Sequence, residues 1–143
     1  EKGLSNEKEV LMEKIKEFFK KDKFAEYTGI ELLEVKEGWA KSKMEITENH
    51  LNGIGTVHGG AIFTLADFTF AAAANSYRTV TVAINANISF MKAARSGTLF
   101  AEAEEISANP KLGTYTITVT DDNGELIAIF QGMAYRKRDK IDI

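Results

Sequence analysis

The 143-residue sequence contains no cysteine, which excludes disulfide bonds, thiolate metal sites and a cysteine nucleophile. It has no excess of positive charge, since the formal net charge is -3, and so gives no reason to expect a nucleic-acid partner. The longest apolar run, around residues 62–74, is too short to span a bilayer and is interrupted by Asp67. Because the first residues also lack a signal-peptide profile, we expect a soluble cytoplasmic protein without membrane contact.

The composition and length are those of one globular domain. Hydrophobic residues make up 44% of the chain and charged residues 27%, both ordinary values for a folded protein. No internal repeat, linker or low-complexity segment divides residues 1–143. A chain of this length can bury a proper core, so we predict a single domain.

Apolar periodicity predicts the order of helices and strands. Residues 1–25 carry apolar side chains on one helical face, and Asn6 and Glu9 have the spacing of a capping box. Residues 60–76 are almost all apolar or small, which is typical of a helix buried on every side. Asp-Asn-Gly at 122–124 predicts a hairpin turn. Alternating patterns predict strands at 30–35, 39–46, 79–90, 97–107, 114–120 and 125–136.

This order of elements favours an α+β fold. Successive strands joined by short turns predict an antiparallel sheet. An apolar helix in such a chain must be covered by the sheet or by a partner subunit.

Three stretches resemble the hotdog-fold acyl-CoA thioesterases of the phenylacetic-acid-degradation (PaaI-like) type. They are "NGIGTVHGGAIFTLAD" at 52–67, "NISFMKAARSGTL" at 87–99 and "GELIAIFQGMAYR" at 124–136. The resemblance covers roughly residues 27–137 and implies a curved antiparallel sheet wrapped around a long central helix, with the N-terminal helix added outside it. It also implies a homodimer or homotetramer that hydrolyses an acyl-CoA, aryl or medium-chain, at the subunit interface.

Asp67 is a candidate catalytic carboxylate because it lies within the helix predicted to be buried. A buried acid is costly unless it is paired or used, and desolvation raises its pKa. Such groups are common at functional sites. The resemblance implies that Asp67 attacks the thioester or deprotonates a water molecule. The alternative is a structural acid that pairs with a buried partner.

Gly59 and Gly60 stand where the central helix begins. Free backbone N–H groups at a helix N-terminus stabilise an oxyanion, and glycine lets a ligand approach the backbone closely. The resemblance implies that the Gly59 N–H is the oxyanion donor and that Gly60 adjoins the substrate. Alternatively, the two glycines only permit a tight turn into the helix.

The spacing of Gly59 and Asp67 constrains the assembly. Eight residues span about 12 Å along a helix, whereas reacting atoms must come within about 3–3.5 Å. One subunit therefore cannot easily bring both groups to one carbonyl. If both are catalytic, they come from different subunits of a two-fold dimer.

Other site residues are implied by the resemblance alone. Asn52 corresponds to an amide near the thioester, or else is a loop asparagine that makes a turn. His58 corresponds to a histidine that orders the loop or donates a hydrogen bond, and His50 is expected to be an ordinary loop histidine.

Some family branches position the attacking water with a Ser or Thr hydroxyl. This chain has Ala83 at that place, between Thr81 and Asn85, and we expect all three residues on the same strand face.

The substrate would contact a basic rim and an apolar pocket. The candidates for the coenzyme A phosphates are Lys92, Arg95, Lys111 and Arg136. The candidates for the acyl pocket are Phe63, Phe68 and Phe70, which could equally belong to the core.

Two other functions are compatible with the fold. A non-catalytic acyl-CoA binding or sensing protein would keep the pocket, although the presence of Asp67 argues against it. A hotdog dehydratase would need a different histidine and acid motif, which the sequence lacks. We expect no metal and no cofactor, because coenzyme A is part of the substrate.

Overall fold

A computed structural model describes residues 2–143, in which helices and strands follow the predicted order with one addition. The helices are α1 (Lys2–Phe19), α2 (Lys23–Thr28) and α3 (Gly59–Ala74), and a 3-10 turn covers Glu48–His50. The strands are β1 (Ile30–Lys36), β2 (Trp39–Glu45), β3 (Thr79–Phe90), β4 (Thr98–Ala108), β5 (Leu112–Thr120) and β6 (Leu126–Lys140). None of the helices within 2–143 combines the length and apolar character needed to cross a bilayer.

The six strands form one sheet in the order β1-β2-β4-β5-β6-β3. Every pairing is antiparallel, which confirms the prediction from the short turns. β3 pairs with β6 rather than with β4, the next strand in the chain. β3 is therefore an edge strand, and residues 91–97 carry the chain across to the middle of the sheet.

The central helix α3 packs against all six strands of the sheet. The α+β arrangement predicted from the sequence is therefore confirmed. Phe70 and Phe130 meet in this core with 5.8 Å between ring centroids. A Cβ atom at Gly132 of β6 would lie 2.5 Å from the Phe70 ring, so glycine is what allows that ring to pack on the strand. Phe68 and Phe70 are both buried in the hydrophobic core, which is the alternative that the sequence left open for them.

The N-terminal region departs from the predicted single helix over 1–25. α1 ends at Phe19, and the short helix α2 follows. The Asp22 carboxylate accepts a hydrogen bond from the Ala25 N–H and caps α2, and Gly29 ends it in the left-handed conformation at φ 82°. The capping box predicted at Asn6 is wrong, since α1 already begins at Lys2.

Strand β3 is more exposed than its alternating sequence predicts, and it contains a bulge. The register with β6 shifts between Ala83 and Asn85, which pair with the successive residues Ala134 and Met133. Successive residues of β6 point to opposite faces, so Ala83 and Asn85 lie on opposite faces of the sheet. The expectation that they share a face is wrong, because the bulge at Ile84 adds one residue to β3.

Candidate active site

The first turn of α3 leaves one backbone N–H group without a partner. The Nδ1 atom of His58 accepts a hydrogen bond from the Gly60 N–H at 2.8 Å, and the His58 carbonyl accepts one from Ala61 at 2.9 Å. The Gly59 N–H meets no acceptor within residues 2–143. An unpaired N–H group at a helix N-terminus favours negative charge, which makes this group suited to an oxyanion.

The loop before α3 is held by His50, which was expected to be an ordinary loop histidine. His50 is buried, its Nδ1 atom accepts a hydrogen bond from the Thr47 N–H, and its Nε2 atom donates to the Thr28 carbonyl at 2.6 Å. The His50 carbonyl accepts from the His58 N–H at 2.7 Å. His50 therefore ties the end of α2 to the start of α3. Its partner Thr28 is 22 residues away, so no local sequence pattern indicates this contact.

Asp67 is half-buried on α3 and is the only charged residue of that helix. Burial raises the pKa of its carboxyl above the usual value, and the negative charge of nearby Asp22 raises it further. Asp67 forms no salt bridge with any residue described in 2–143. The alternative, a structural acid that pairs with a buried partner, therefore has no support among these salt bridges.

Gly59 and Asp67 lie on one continuous helix, as the distance argument requires. Eight residues at 1.5 Å each separate them by about 12 Å. Asp22 lies close to Asp67, while the other end of α2 is tied through His50 to His58. α2 therefore runs antiparallel beside the first turns of α3, although the predicted order of elements did not include this helix.

Comparison with known proteins identifies the family of this chain. Residues 54–128 match the family described as the Thioesterase superfamily. A "Putative esterase" of Archaeoglobus fulgidus is 41% identical over 90% of this chain and 85% of its own length. The acyl-coenzyme A thioesterase PaaI of Escherichia coli is 34% identical over 82% of this chain and 85% of its own. The solved structure of E. coli PaaI, from the phenylacetic acid degradation operon, superposes with a TM-score of 0.84 over 87% of this chain and 91% of its own, at 32% identity.

The chain belongs to the thioesterase superfamily. It is a thioester hydrolase of the PaaI-like type, and its fold is the hotdog fold that the resemblance implied.

The Asn52 side chain of this thioesterase is engaged in its own loop. Its Oδ1 atom accepts hydrogen bonds from the N–H groups of Ile54 and Thr56, and its Nδ2 atom donates to Thr56 Oγ1 at 2.8 Å. These bonds are those of the turn-forming asparagine that the sequence analysis left as the alternative. One N–H of the amide remains available for a ligand.

Phe90 and Phe63 bring aromatic surface to the N-terminal half of α3. A Cβ atom at Gly59 would lie 3.1 Å from the Phe90 ring, so this ring covers the glycine. Phe63 is half-buried and packs edge-on against Phe130, with 5.2 Å between centroids. Phe63 therefore keeps an exposed edge, unlike Phe68 and Phe70.

The four basic residues predicted to form one rim lie in two groups. Lys92 and Arg95 belong to the segment that contacts the start of α3, where the Val57 N–H donates to the Ala94 carbonyl. Lys111 and Arg136 lie at the other end of α3, because Arg136 pairs with Thr81, whose N–H is bonded to Asn75 at the end of that helix. Within one chain these four residues therefore do not form one group, and their contact with the coenzyme A phosphates stays a prediction.

The four basic side chains differ in whether they already form salt bridges or hydrogen bonds within the chain. Lys92 forms a salt bridge with Glu125. Arg136 donates to the Asn109 and Leu112 carbonyls and packs on the Tyr77 ring. Arg95 and Lys111 are exposed. No group of three or more His, Asp or Glu side chains suited to a metal occurs within residues 2–143.

Proposed function

We propose that this thioesterase hydrolyses acyl-CoA thioesters at sites shared between two subunits. The Gly59 N–H of one subunit donates a hydrogen bond to the thioester carbonyl oxygen and stabilises the oxyanion as it forms. Asp67 of the other subunit attacks the carbonyl carbon or removes a proton from the attacking water. If Asp67 attacks, the carbon–sulfur bond breaks to leave an anhydride between Asp67 and the acyl group, which water then hydrolyses; if Asp67 acts as the base, the water itself displaces the sulfur. On either route one water molecule is consumed, a proton goes to the thiolate, coenzyme A leaves as the thiol and the acyl group becomes the free acid. No metal or organic cofactor has a role in this proposal.

The observation that carries the proposal is the hydrogen-bond pattern at the start of α3. His58 caps Gly60 and so leaves Gly59 as the donor without a partner. The same helix carries Asp67, whose raised pKa suits a base that must hold a proton for part of the reaction. The two groups are too far apart in one chain to act on the same carbonyl, which supports a site built by two subunits.

The exposed edge of β3 supports two-fold assembly. Ile84 of this strand is 56% exposed and Phe90 is 53% exposed. A long apolar edge strand has unpaired backbone groups that favour pairing with another chain. We propose that β3 pairs with its copy in a second subunit and that dimers of this kind form the homodimer or homotetramer.

Coenzyme A phosphates would meet the basic group nearest the oxyanion donor. Arg95 is exposed and lies in the segment that contacts the start of α3, and Lys92 can exchange its exposed partner Glu125 for a phosphate. Asn52 can donate its remaining N–H to the substrate. Ala83 offers no hydroxyl, so the attacking water would be placed by Asp67 and the substrate.

Release of coenzyme A from a panel of short, long and aromatic acyl-CoAs tests the proposal. A thiol reagent reads the product without background, because the protein contains no cysteine. Asp67→Asn should lower kcat by about 10²–10⁴-fold. The matched control, Asp139→Asn, makes the same change at an exposed position and should keep wild-type turnover.

Two results would contradict the proposal. Tight acyl-CoA binding without turnover by the wild type would assign the chain to the alternative class of acyl-CoA binding or sensing proteins. Turnover that survives in Asp67→Asn would show that another group activates the nucleophile.

A further inference from the structure

Helix α3 carries two hydroxyl side chains, Thr64 and Thr69, and only Thr64 lies on the same side as Asp67. Thr64 is three residues before Asp67, and side chains three residues apart are neighbours on a helix surface. Thr69 is two residues after Asp67, a spacing at which side chains do not face each other, and it is fully buried. Thr64 is therefore the hydroxyl group of α3 that can act together with the candidate catalytic carboxylate.

The surroundings of Thr64 and Asp67 agree with this placement. Thr64 lines a groove between α2 and the first turns of α3. Asp67 lies close to Asp22, which caps the start of α2. Both side chains therefore lie on the side of α3 that faces α2. Neither is fully buried, so water can reach both of them.

The proton of the Thr64 hydroxyl group is already used in a hydrogen bond. Thr64 Oγ1 donates it to the Gly60 carbonyl, with 2.7 Å between the two oxygen atoms. A hydroxyl group has one proton and two lone pairs, so the Thr64 oxygen can only accept further hydrogen bonds. The ionised carboxylate of Asp67 likewise only accepts. The two groups together therefore suit a ligand that donates two hydrogen bonds, as water does.

One water molecule can bridge these two acceptors. Residues three apart on a helix have Cβ atoms about 5–6 Å apart. A water molecule with hydrogen bonds of about 2.8 Å to each oxygen fits between such side chains. Both of its protons are then directed at Thr64 and Asp67. Its lone pairs point away from the two side chains and are free to attack the thioester carbon.

We propose that Thr64 and Asp67 hold the attacking water between them, so that Asp67 acts as the general base and not as the nucleophile. The water oxygen forms a bond with the carbonyl carbon while Asp67 takes one of its protons. The carbon–sulfur bond then breaks, the proton passes from Asp67 to the thiolate, and the acyl group becomes the free acid. The inference rests on the proposed thioesterase site, to which it adds a hydroxyl group that Ala83 does not supply.

Thr64→Val tests the proposal, because valine keeps the branched shape of threonine and lacks the hydroxyl group. We expect kcat to fall about tenfold. KM should stay unchanged, since Thr64 contacts the water and not the substrate. Thr64→Ser keeps a hydroxyl group that can donate to the Gly60 carbonyl in the same way, and it should keep most of the wild-type kcat. The thiol assay for coenzyme A measures all of these variants.

Thr69→Val is the matched control for loss of a hydroxyl group from α3. Thr69 donates to the Leu65 carbonyl at 2.7 Å, so it forms the same bond to the residue four positions earlier that Thr64 forms. Because Thr69 lies on the buried side of α3, this variant should keep the wild-type kcat. Equal losses of kcat in Thr64→Val and Thr69→Val would show that the hydroxyl groups act on the helix and not on the water, which overturns the proposal.

Turnover in water enriched in oxygen-18 gives a second, independent measurement. When water attacks the thioester directly, the heavy oxygen enters only the product acid. An anhydride can also be opened at the carboxyl carbon of Asp67, which would leave the heavy oxygen in the protein. Mass spectrometry of the peptide that contains Asp67 should find no label after many turnovers, and label in this peptide overturns the proposal.

The outcomes separate this inference from the proposed function. A wild-type protein that releases no coenzyme A contradicts the proposed function itself. An active wild type that loses activity in Asp67→Asn but keeps its full kcat in Thr64→Val supports the proposed function and overturns the role of Thr64.

Discussion

Asp67 is the residue whose chemistry depends most on its neighbours. Burial is the main cause of its raised pKa, and the charge of Asp22 is the second. Asp22 caps α2, and the same carboxylate places a negative charge near Asp67, the proposed catalytic group. At this scale, a helix cap and the acidity of the site are therefore linked.

Asp22→Asn should shift the acidic limb of the pH–rate profile to lower pH. Asparagine can still accept the hydrogen bond from the Ala25 N–H, so the cap is kept while the charge is removed. The negative charge of Asp22 disfavours the ionised form of Asp67. Removing that charge therefore lowers the pKa of Asp67, so its carboxyl group stays ionised at lower pH. The profile of kcat/KM against pH measures this shift.

Glu26→Gln serves as the control for this shift. It also removes one negative charge from α2, but Glu26 does not contribute to the raised pKa of Asp67. An acidic limb that moves equally in both variants, or in neither, would contradict the specific coupling between Asp22 and Asp67.

Individual site residues differed in how well the sequence predicted them. The positions of Gly59 and Asp67 on α3 follow from a contiguous motif within one helix. The contacts of His50 and Arg136 could not be predicted in this way, because their hydrogen-bond partners lie 22 to 27 residues away in the chain.

At the scale of the element, the start of α3 is the most testable feature. Gly59→Pro removes the proposed oxyanion donor at the first helical position, where proline is favoured. His58 has φ -58° and ψ 134°, a conformation that a residue before proline readily adopts. We expect kcat to fall about 10²–10³-fold, measured with the same thiol assay.

Gly59→Ala is the matched control for the loss of that N–H group. It adds the same Cβ atom next to the Phe90 ring but keeps the N–H. Equal losses in Gly59→Ala and Gly59→Pro would show that crowding by the Cβ atom, rather than the missing hydrogen bond, lowers activity.

The elements were predicted where one repeating pattern runs through the whole segment. α3 and the strands have such patterns, and their observed bounds lie within a few residues of the predicted ones. The break between α1 and α2 was missed although Asp22 and Gly29 have the residue types of helix caps. The bulge at Ile84 was not predicted, because Val82, Ile84 and Ala86 keep the two-residue spacing of a regular strand through it.

At the scale of the whole molecule, the proposed site requires a second subunit. The single chain leaves the β3 edge open, separates the basic residues into two groups and keeps Gly59 about 12 Å from Asp67. The sequence predicted a dimer in two ways, through the family resemblance and through the distance between Gly59 and Asp67. It could not predict the open edge, because the position of β3 in the sheet is set by its pairing with β6.

Subunit complementation is the measurement that tests the shared site most directly. Gly59→Pro and Asp67→Asn chains carrying different tags are coexpressed, and coenzyme A release is measured for each homodimer and for the mixture. In a mixed dimer, one shared site carries both substitutions and the other carries neither. Random mixing should therefore restore about a quarter of wild-type activity, although each variant alone is nearly inactive. A mixture that stays as inactive as its parents, with mixed dimers shown by double-tag purification, would contradict a site built from two subunits.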